Sequence, residues 1–235
     1  MAHKYVAFDI ETAKVLEGDL GDWQAHRPLG ICCAATLPAG ADAAVLWHGK
    51  GEGGRPAPRM QQDDVARLIE HLMKMLESGH TILTWNGLGF DFDVLAEESG
   101  MRDECRSLAL AHVDMMFHVF CQLGFPVSLD RAAQAMKLPG KTEGMSGALA
   151  PKLWSQGKHD QVLAYMEQDA RTTLDLAQAC EKGRRLSWLA QSGKTRDMPL
   201  PDGWLNVQQA QELPLPDTSW MDRPMKRSRF TRWML

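Results

Sequence analysis

Asp9 and Glu11 stand two residues apart in the β-prone run Phe8-Asp9-Ile10-Glu11-Thr12. On a strand, such residues project from the same face, so the two carboxylates point together while Phe8 and Ile10 take the other side. The apolar pair can face a core, which leaves the carboxylates side by side at a sheet surface. Like charges at that spacing repel, and a divalent cation bound through oxygen ligands holds both ionised. An ordinary solvated strand face has the same pattern, so the pair carries little weight alone. A second cluster, Asn86-Gly87-Leu88-Gly89-Phe90-Asp91-Phe92-Asp93-Val94-Leu95, puts a glycine turn ahead of a helix start. Phe90 and Leu95 can anchor it in the core while Asp91 faces the sheet edge. Asp93 competes for that place, because residues two apart on a helix do not share a face. An acid in a first helical turn is also favoured by the helix dipole without any function. The third cluster is Tyr165-Met166-Glu167-Gln168-Asp169, where Tyr165 and Asp169 share a helix face at i and i+4 and Glu167 points elsewhere, toward solvent.

These residues need elements to position them. Alternation predicts strands over Tyr5–Glu11, Leu29–Leu37 and Ala43–His48, with a glycine-rich surface loop from Gly49 to Pro56. That loop lacks the Gly-Lys-Ser/Thr ending of a phosphate-binding loop. Val65, Leu68, Ile69, Leu72 and Met75 recur at three- and four-residue steps, an amphipathic helix closed by Gly79. A strand from His80 to Trp85 leads into the second cluster, whose helix runs to Ser99 and stops at Gly100. Ala109 to Val113 reads as a further short strand, with Asp114 capping the next helix. Ser128 or Asp130 begins a helix to about Leu138, and the last long helix runs from His159 to about Arg185. Strands and helices in this order suggest a mixed α/β sheet with helices packed on it.

Composition narrows the function classes. The chain has 235 residues, 44% hydrophobic and 24% charged, which fits a globular domain able to bury a core without staples. It has no apolar run approaching the ~20 residues that span a bilayer and no signal-peptide core, and a cytoplasmic location with no membrane partner is expected. The five cysteines (Cys32, Cys33, Cys105, Cys121, Cys180) lack metal-site spacing and read as buried thiols. The eight histidines read as packed or solvated residues, and among the eight tryptophans Trp85 adjoins the second cluster. Residues 1–181 carry 16 Lys+Arg against 25 Asp+Glu, whereas residues 182–235 carry 10 against 5. Five of the twelve prolines lie between Pro199 and Pro224. The expected organisation is a domain over residues 1–190 and a Pro-rich, basic extension over 191–235.

Taken together, the order D-x-E, N-G-x-x-F-D and Y-x-x-x-D resembles the tyrosine-containing branch of the DEDD 3′–5′ exonucleases, in the ribonuclease H-like superfamily. It is similar to the proofreading domains of family-B DNA polymerases over residues 4–185, and Ser128-Leu129-Asp130 and Lys141-Thr142 join the match. The histidine branch would place a His five residues before the last Asp, where this chain has Ala164. One departure is Asp93, where relatives often carry Pro. The resemblance implies a ribonuclease H-like α/β fold: a mixed β-sheet flanked by α-helices. It implies two divalent cations, Mg²⁺ or Mn²⁺, held by Asp9, Glu11, Asp91 and Asp169. Asp9 would bridge them, Glu11 and Asp169 would complete one ligand set, and Asp91 would hold the other ion, partly through water. Tyr165 would orient the attacking water, and Thr12 and Asn86 would contact the terminal nucleotide. Two such ions ~3.5–4 Å apart activate the nucleophile and stabilise the leaving oxygen. The implied partner is nucleic acid with a free 3′ end, single-stranded DNA before RNA, released as nucleoside 5′-monophosphates. Arg223, Lys226, Arg227, Arg229 and Arg232, interleaved with Phe230 and Trp233, either offer a further nucleic-acid contact through the tail or, the slightly favoured reading, are solvated while Phe230 and Trp233 pin the tail to the core. The alternatives are a catalytically silent binding module of the same fold and a structure-specific endonuclease. The sequence leaves the oligomeric state open.

Overall fold

A computed structural model describes residues 4–16, 20–140 and 144–235, and the Lys141-Thr142 pair lies outside them. Its sheet is built from β1 (Tyr5–Thr12), β2 (Ile31–Pro38), β3 (Val45–His48), β4 (Thr81–Thr84) and β5 (Val113–Asp114). They run in the order β3-β2-β1-β4-β5. β1 pairs antiparallel with β2 and β2 with β3, while β4 is parallel to β1 and β5 to β4. The packed helices are α1 (Gln62–Glu77), α2 (Asp91–Ser99), α3 (Arg102–Ala111), α4 (Met115–Leu123), α5 (Leu129–Ala135), α6 (Ala150–Ser155) and α7 (His159–Gly183). This is the mixed α/β sheet expected from the sequence.

Both faces of β1 are covered. Val6, Phe8 and Ile10 join the core with Val65, Leu68, Ile69 and Leu72 of α1 and Phe92 and Leu95 of α2. Tyr5 and Ala7 join the other core with Val162, Met166, Ala170 and Ala177 of α7. Asp9 and Glu11 share the face of Tyr5 and Ala7. The alternative of an ordinary solvated strand face is therefore removed, and the sheet surface expected to carry the pair is covered: α7 lies across that face, and Glu11 is 6% exposed. Tyr5 reinforces the same packing by donating its hydroxyl to the carboxylate of Glu181, near the end of α7. All five cysteines are buried free thiols.

Three local expectations change. The stretch predicted as a strand over 109–113 is mostly the end of α3, and only Val113–Asp114 pairs with β4. Its Ala/Leu-rich run has good helix propensity, and Gly100, at φ +73°, ends α2 just upstream, as its sequence position predicted. Glu167 is half-buried rather than free in solvent: its carboxylate accepts the N–H of Ala44 at 3.1 Å, which ties α7 to the approach to β3. Beyond α7, the chain forms an antiparallel hairpin, β6 (Arg185–Leu189) with β7 (Thr195–Pro199), that the sequence reading left unassigned. The expected boundary at residue 190 falls in the turn of this hairpin.

The remaining residues fold back onto the domain. α8 (Val207–Gln211), α9 (Ser228–Thr231) and the 3-10 turn Arg232–Met234 that follows it place Val207, Ala210, Phe230, Trp233 and Met234 in the same core as α1 and α2. The Phe230 ring lies 5.4 Å from Phe117 and 4.9 Å from Phe120. Burying a side chain such as Phe230 or Met234 contributes ~1.5–3 kcal/mol. The guanidinium of Arg227 donates to the carbonyls of Cys121, Gln211, Leu213 and Pro214 at 2.6–3.0 Å. No helix among the described residues is long and apolar enough to cross a membrane.

Candidate active site

The carboxyl end of β1 and the start of α2 meet at one edge of the sheet. α7 crosses above them. Asp9, Glu11, Thr12, Asn86, Asp91, Tyr165 and Asp169 all line one cavity of about 340 Å³ there. Every residue singled out as a site candidate is therefore on the same wall system, although the chain brings them from three separate segments. The β1–β2 register breaks between Glu11 and Thr12, so Glu11 faces Cys33 across the ladder and Thr12 faces Ile31. A Cβ built on Gly147 would stand 3.6–3.7 Å from the Glu11 carboxylate oxygens, which brings the loop before α6 over the cavity.

The competition between Asp91 and Asp93 has a geometric outcome. Asp91 lines the cavity, and its Oδ1 accepts the N–H of Ile10 at 3.1 Å. Asp93, two residues on, turns away and forms an ion pair with the guanidinium of Arg27, which also bonds Glu97 at 3.1 Å. Burial, followed by the charge of Asp9, raises the pKa of Asp91 well above the ordinary carboxylate value. Tyr165 is also pushed up, by burial first and then by Asp169 and Glu11, and its side chain hydrogen-bonds Asp169. The phenol thus keeps its proton at neutral pH. The hydrogen bond to Cys32 is the largest influence raising the Cys33 thiol, followed by burial and then the charges of Glu11 and Asp9. Neighbouring carboxylate charge adds to the shift of each of these groups.

The turn of residues 86–89 is set by contacts the sequence reading did not anticipate. Asn86 has φ +76°, and its N–H donates to Asp114 Oδ1 at 2.9 Å. Leu88 N–H donates to Asp114 Oδ2 at 2.9 Å. Asp114 also caps α4 by accepting Phe117 N–H at 3.0 Å, which is the role the sequence predicted for it. One carboxylate therefore starts a helix and shapes the neighbouring turn. Thr84 Oγ1 accepts Gly87 N–H at 3.1 Å and lies 3.0 Å from His112 Nε2, while His112 Nδ1 lies 2.8 Å from the Ala109 carbonyl. A coherent assignment has His112 Nδ1–H donating to that carbonyl and Nε2 accepting from the Thr84 hydroxyl. Glycine is required at 87, because a Cβ there would meet the Thr84 side chain at 2.4–2.7 Å. At 89 a Cβ would meet the Phe230 ring at 2.8 Å. Trp85 Nε1 donates to the Val127 carbonyl at 3.1 Å, and the ring lines the cavity.

Among the described residues, no three acidic, histidine or cysteine side chains already stand as a ready metal cage. The donor chemistry fits a hard divalent cation all the same. Four carboxylates around one cavity present oxygen ligands only, the set that suits Mg²⁺ or Mn²⁺ rather than Zn²⁺. The upward shift of Asp91 is the response that a bound cation reverses.

The RNase_H superfamily model matches residues 44–180. That stretch holds Asn86, Asp91, Tyr165 and Asp169 but not Asp9, Glu11 or Thr12. The fold is similar to that of the family B DNA polymerase from the hyperthermophilic archaeon Pyrobaculum calidifontis, with a TM-score of 0.53 at 17% sequence identity. The similarity covers 77% of this chain and 25% of the polymerase, so the chain spans a minor part of that protein. No curated protein matches the sequence.

Proposed function

The chain belongs to the RNase_H superfamily, and from that premise we propose that it is a 3′–5′ exonuclease of the tyrosine-containing DEDD type. Its substrate is single-stranded DNA, with RNA as the second choice, and its products are nucleoside 5′-monophosphates. The observation that carries this reading is the convergence of Asp9, Glu11, Asp91, Tyr165 and Asp169 on one cavity. Asp9, Glu11, Asp91 and Asp169 would hold two divalent cations, Mg²⁺ or Mn²⁺. When bound, the pair supplies activation of the attacking water and neutralisation of charge at the leaving 3′-oxygen.

The protein's own groups do the rest. Tyr165, kept protonated by burial and by Asp169, aims a water at the terminal phosphodiester through its hydroxyl. Asn86 and Thr12 bracket the place of the terminal nucleotide from the turn and from the end of β1. Ile10 N–H steadies Asp91 against the repulsion of Asp9. Lys226, Arg229 and Arg232 line a second groove of about 880 Å³ that reaches Asn86 and Trp23. There they offer cations to a phosphate backbone.

The test is digestion of 5′-labelled DNA and RNA strands with Mg²⁺ or Mn²⁺, each strand with a free or a phosphate-blocked 3′ end. Stepwise shortening of free strands, stopped by the 3′ block, is expected. Cleavage inside a 3′-blocked strand would favour the endonuclease alternative. No cleavage of any strand, with binding retained, would leave the silent binding module.

A further inference from the structure

A larger groove of about 900 Å³ opens beside the acid cavity and shares Asp9, Trp85, Asn86 and Asp169 with it. Its walls carry Trp85, Phe125, Trp188 and Trp220, together with Arg131 and Arg196. We propose that this groove seats the bases of a single strand upstream of its 3′ terminus, with Trp220 as the outer stacking platform. The inference rests on the exonuclease reading for the direction of the strand.

Trp220 is 67% exposed, an unusual state for an indole. It is nevertheless held in place. Its Nε1 donates to the Asp217 carbonyl at 3.2 Å, and its ring meets Phe125 edge-on at 6.1 Å. Phe125 in turn meets Trp188 edge-on at 6.4 Å. A row of braced rings with an open face at its outer end is a surface on which bases stack, at ~1–3 kcal/mol per base. Arg131, in the first turn of α5, and Arg196, on β7, are exposed on this groove, and neither has an ion-pair partner among the described residues. Arg196 stands opposite Trp188 in the hairpin register, so a cation and a ring lie side by side. Rings with flanking guanidinium groups suit a strand whose bases are free, because paired bases in a duplex offer no face to stack on. Continuity with the acid cavity selects this occupant over a peptide. Trp188, Arg196 and Trp220 all lie beyond the matched stretch 44–180, whereas Phe125 and Arg131 lie within it.

The experiment measures binding of fluorescein-labelled oligothymidylates of two and ten nucleotides by anisotropy, with Ca²⁺ supplied in place of Mg²⁺. Trp220→Ala and Trp220→Leu are expected to weaken the ten-mer by roughly 5- to 150-fold, which is the stacking energy expressed as affinity. Trp220→Phe should restore most of it. The two-mer, which reaches only the acid cavity, should bind all variants alike. The double variant Arg131→Ala/Arg196→Ala should reduce the salt slope for the ten-mer by about 1.4. Wild-type affinity of Trp220→Leu for the ten-mer would overturn the proposal, and so would equal weakening of both lengths. Failure of the exonuclease reading looks different: a protein that cleaves no strand but loses ten-mer affinity with Trp220 keeps the groove. Cleavage with no effect of Trp220 removes the groove and leaves the nuclease.

Discussion

Asp91 and Asp114 occupy nearly equivalent places and have different surroundings. Asp91 comes shortly after the parallel strand β4 and Asp114 ends the parallel strand β5 beside it; each lies at the start of a helix, and both are buried. Asp114 places its two oxygens on three backbone N–H groups, from Asn86, Leu88 and Phe117. Burial still pushes its carboxyl up to about 6. Asp91 has the N–H of Ile10, the charge of Asp9 nearby, and a face on the cavity. Burial alone therefore does not separate a structural acid from a chemical one; the supply of backbone donors does. An acid saturated with N–H groups holds the chain, whereas an acid facing others like itself keeps an oxygen on the cavity for chemistry.

The largest effect expected from this contrast is in Asp91→Asn. Its nuclease activity should fall by three orders of magnitude or more relative to wild type, in line with ~10²–10³ for a single positioned donor and more for a lost anionic ligand. Its melting temperature in chelator should not fall, because a repelled buried charge is gone. Wild type should melt higher with Mn²⁺ than with chelator, by an amount corresponding to ~2.7 kcal/mol at a hundredfold excess over Kd, and Asp91→Asn should lose most of that gain. Equal melting curves with and without Mn²⁺ in wild type would count against a cation site. Asp93→Asn, measured in parallel, should retain near-wild-type turnover, since that side chain pairs with Arg27. A larger loss at Asp93 than at Asp91 would reverse the assignment.

Tyr165→Phe sharpens the cavity side. It removes the hydroxyl and leaves the carboxylates in place, so kcat should drop ~10²–10³-fold while the Mn²⁺-induced rise in melting temperature persists. Loss of both together would make Tyr165 part of the scaffold. Asp114→Ala sharpens the other side. Three N–H groups lose their acceptor, and chemical denaturation should register a loss of roughly 3 kcal/mol, at ~1–3 kcal/mol for a buried unsatisfied group. An unchanged midpoint would show that the turn does not depend on this carboxylate.

The smallest effect is a pH dependence behind the same turn. Burial lowers His112 to about 4 from its ordinary value near 6.5. A histidine depressed in the folded state stabilises it fully above pH ~6.5. That stabilisation is lost as pH falls toward 4, by up to ~3 kcal/mol. Asp114, raised to about 6, changes stability in the opposite direction over part of this window, so the measurement is the difference between wild type and His112→Gln. The variant should lose less stability than wild type between pH 6.5 and 4. Parallel curves would mean that His112 does not titrate with folding.

Much of the cavity was legible because its signals are local. The two-residue step of Asp9 and Glu11 and the four-residue step of Tyr165 and Asp169 follow from strand and helix geometry, and both hold in the fold. The choice between Asp91 and Asp93 was legible only as a choice, since the partner that takes Asp93, Arg27, is distant in sequence. The burial of the Asp9–Glu11 face was not legible, because a strand pattern does not say which helix will cross it. The second role of Asp114 and the destinations of Phe230 and Trp233 are likewise tertiary. Phe230 and Trp233 pin the tail to the core, while Lys226, Arg229 and Arg232 remain on a groove. A tail deletion would therefore disturb the fold as well as the charge, and alanine at those three cations is the cleaner probe of nucleic-acid contact.

The packing of the tail against the turn has a consequence for how the protein responds to being cut. Trp233 Nε1 donates to the Leu88 carbonyl at 2.7 Å, and the Phe230 ring occupies the space that a side chain at Gly89 would need. Leu215 and Trp220 mark an exposed stretch between this buttress and the rest of the chain. A protease nick there would convert the buttress from a tethered part into a ligand of its own parent. Its effective concentration would fall from the millimolar range typical of a short tether to the concentration of the fragment in solution. Nicked protein should then lose activity on dilution and regain it when a synthetic peptide covering residues 222–235 is added back, which turns a packing contact into a reversible switch.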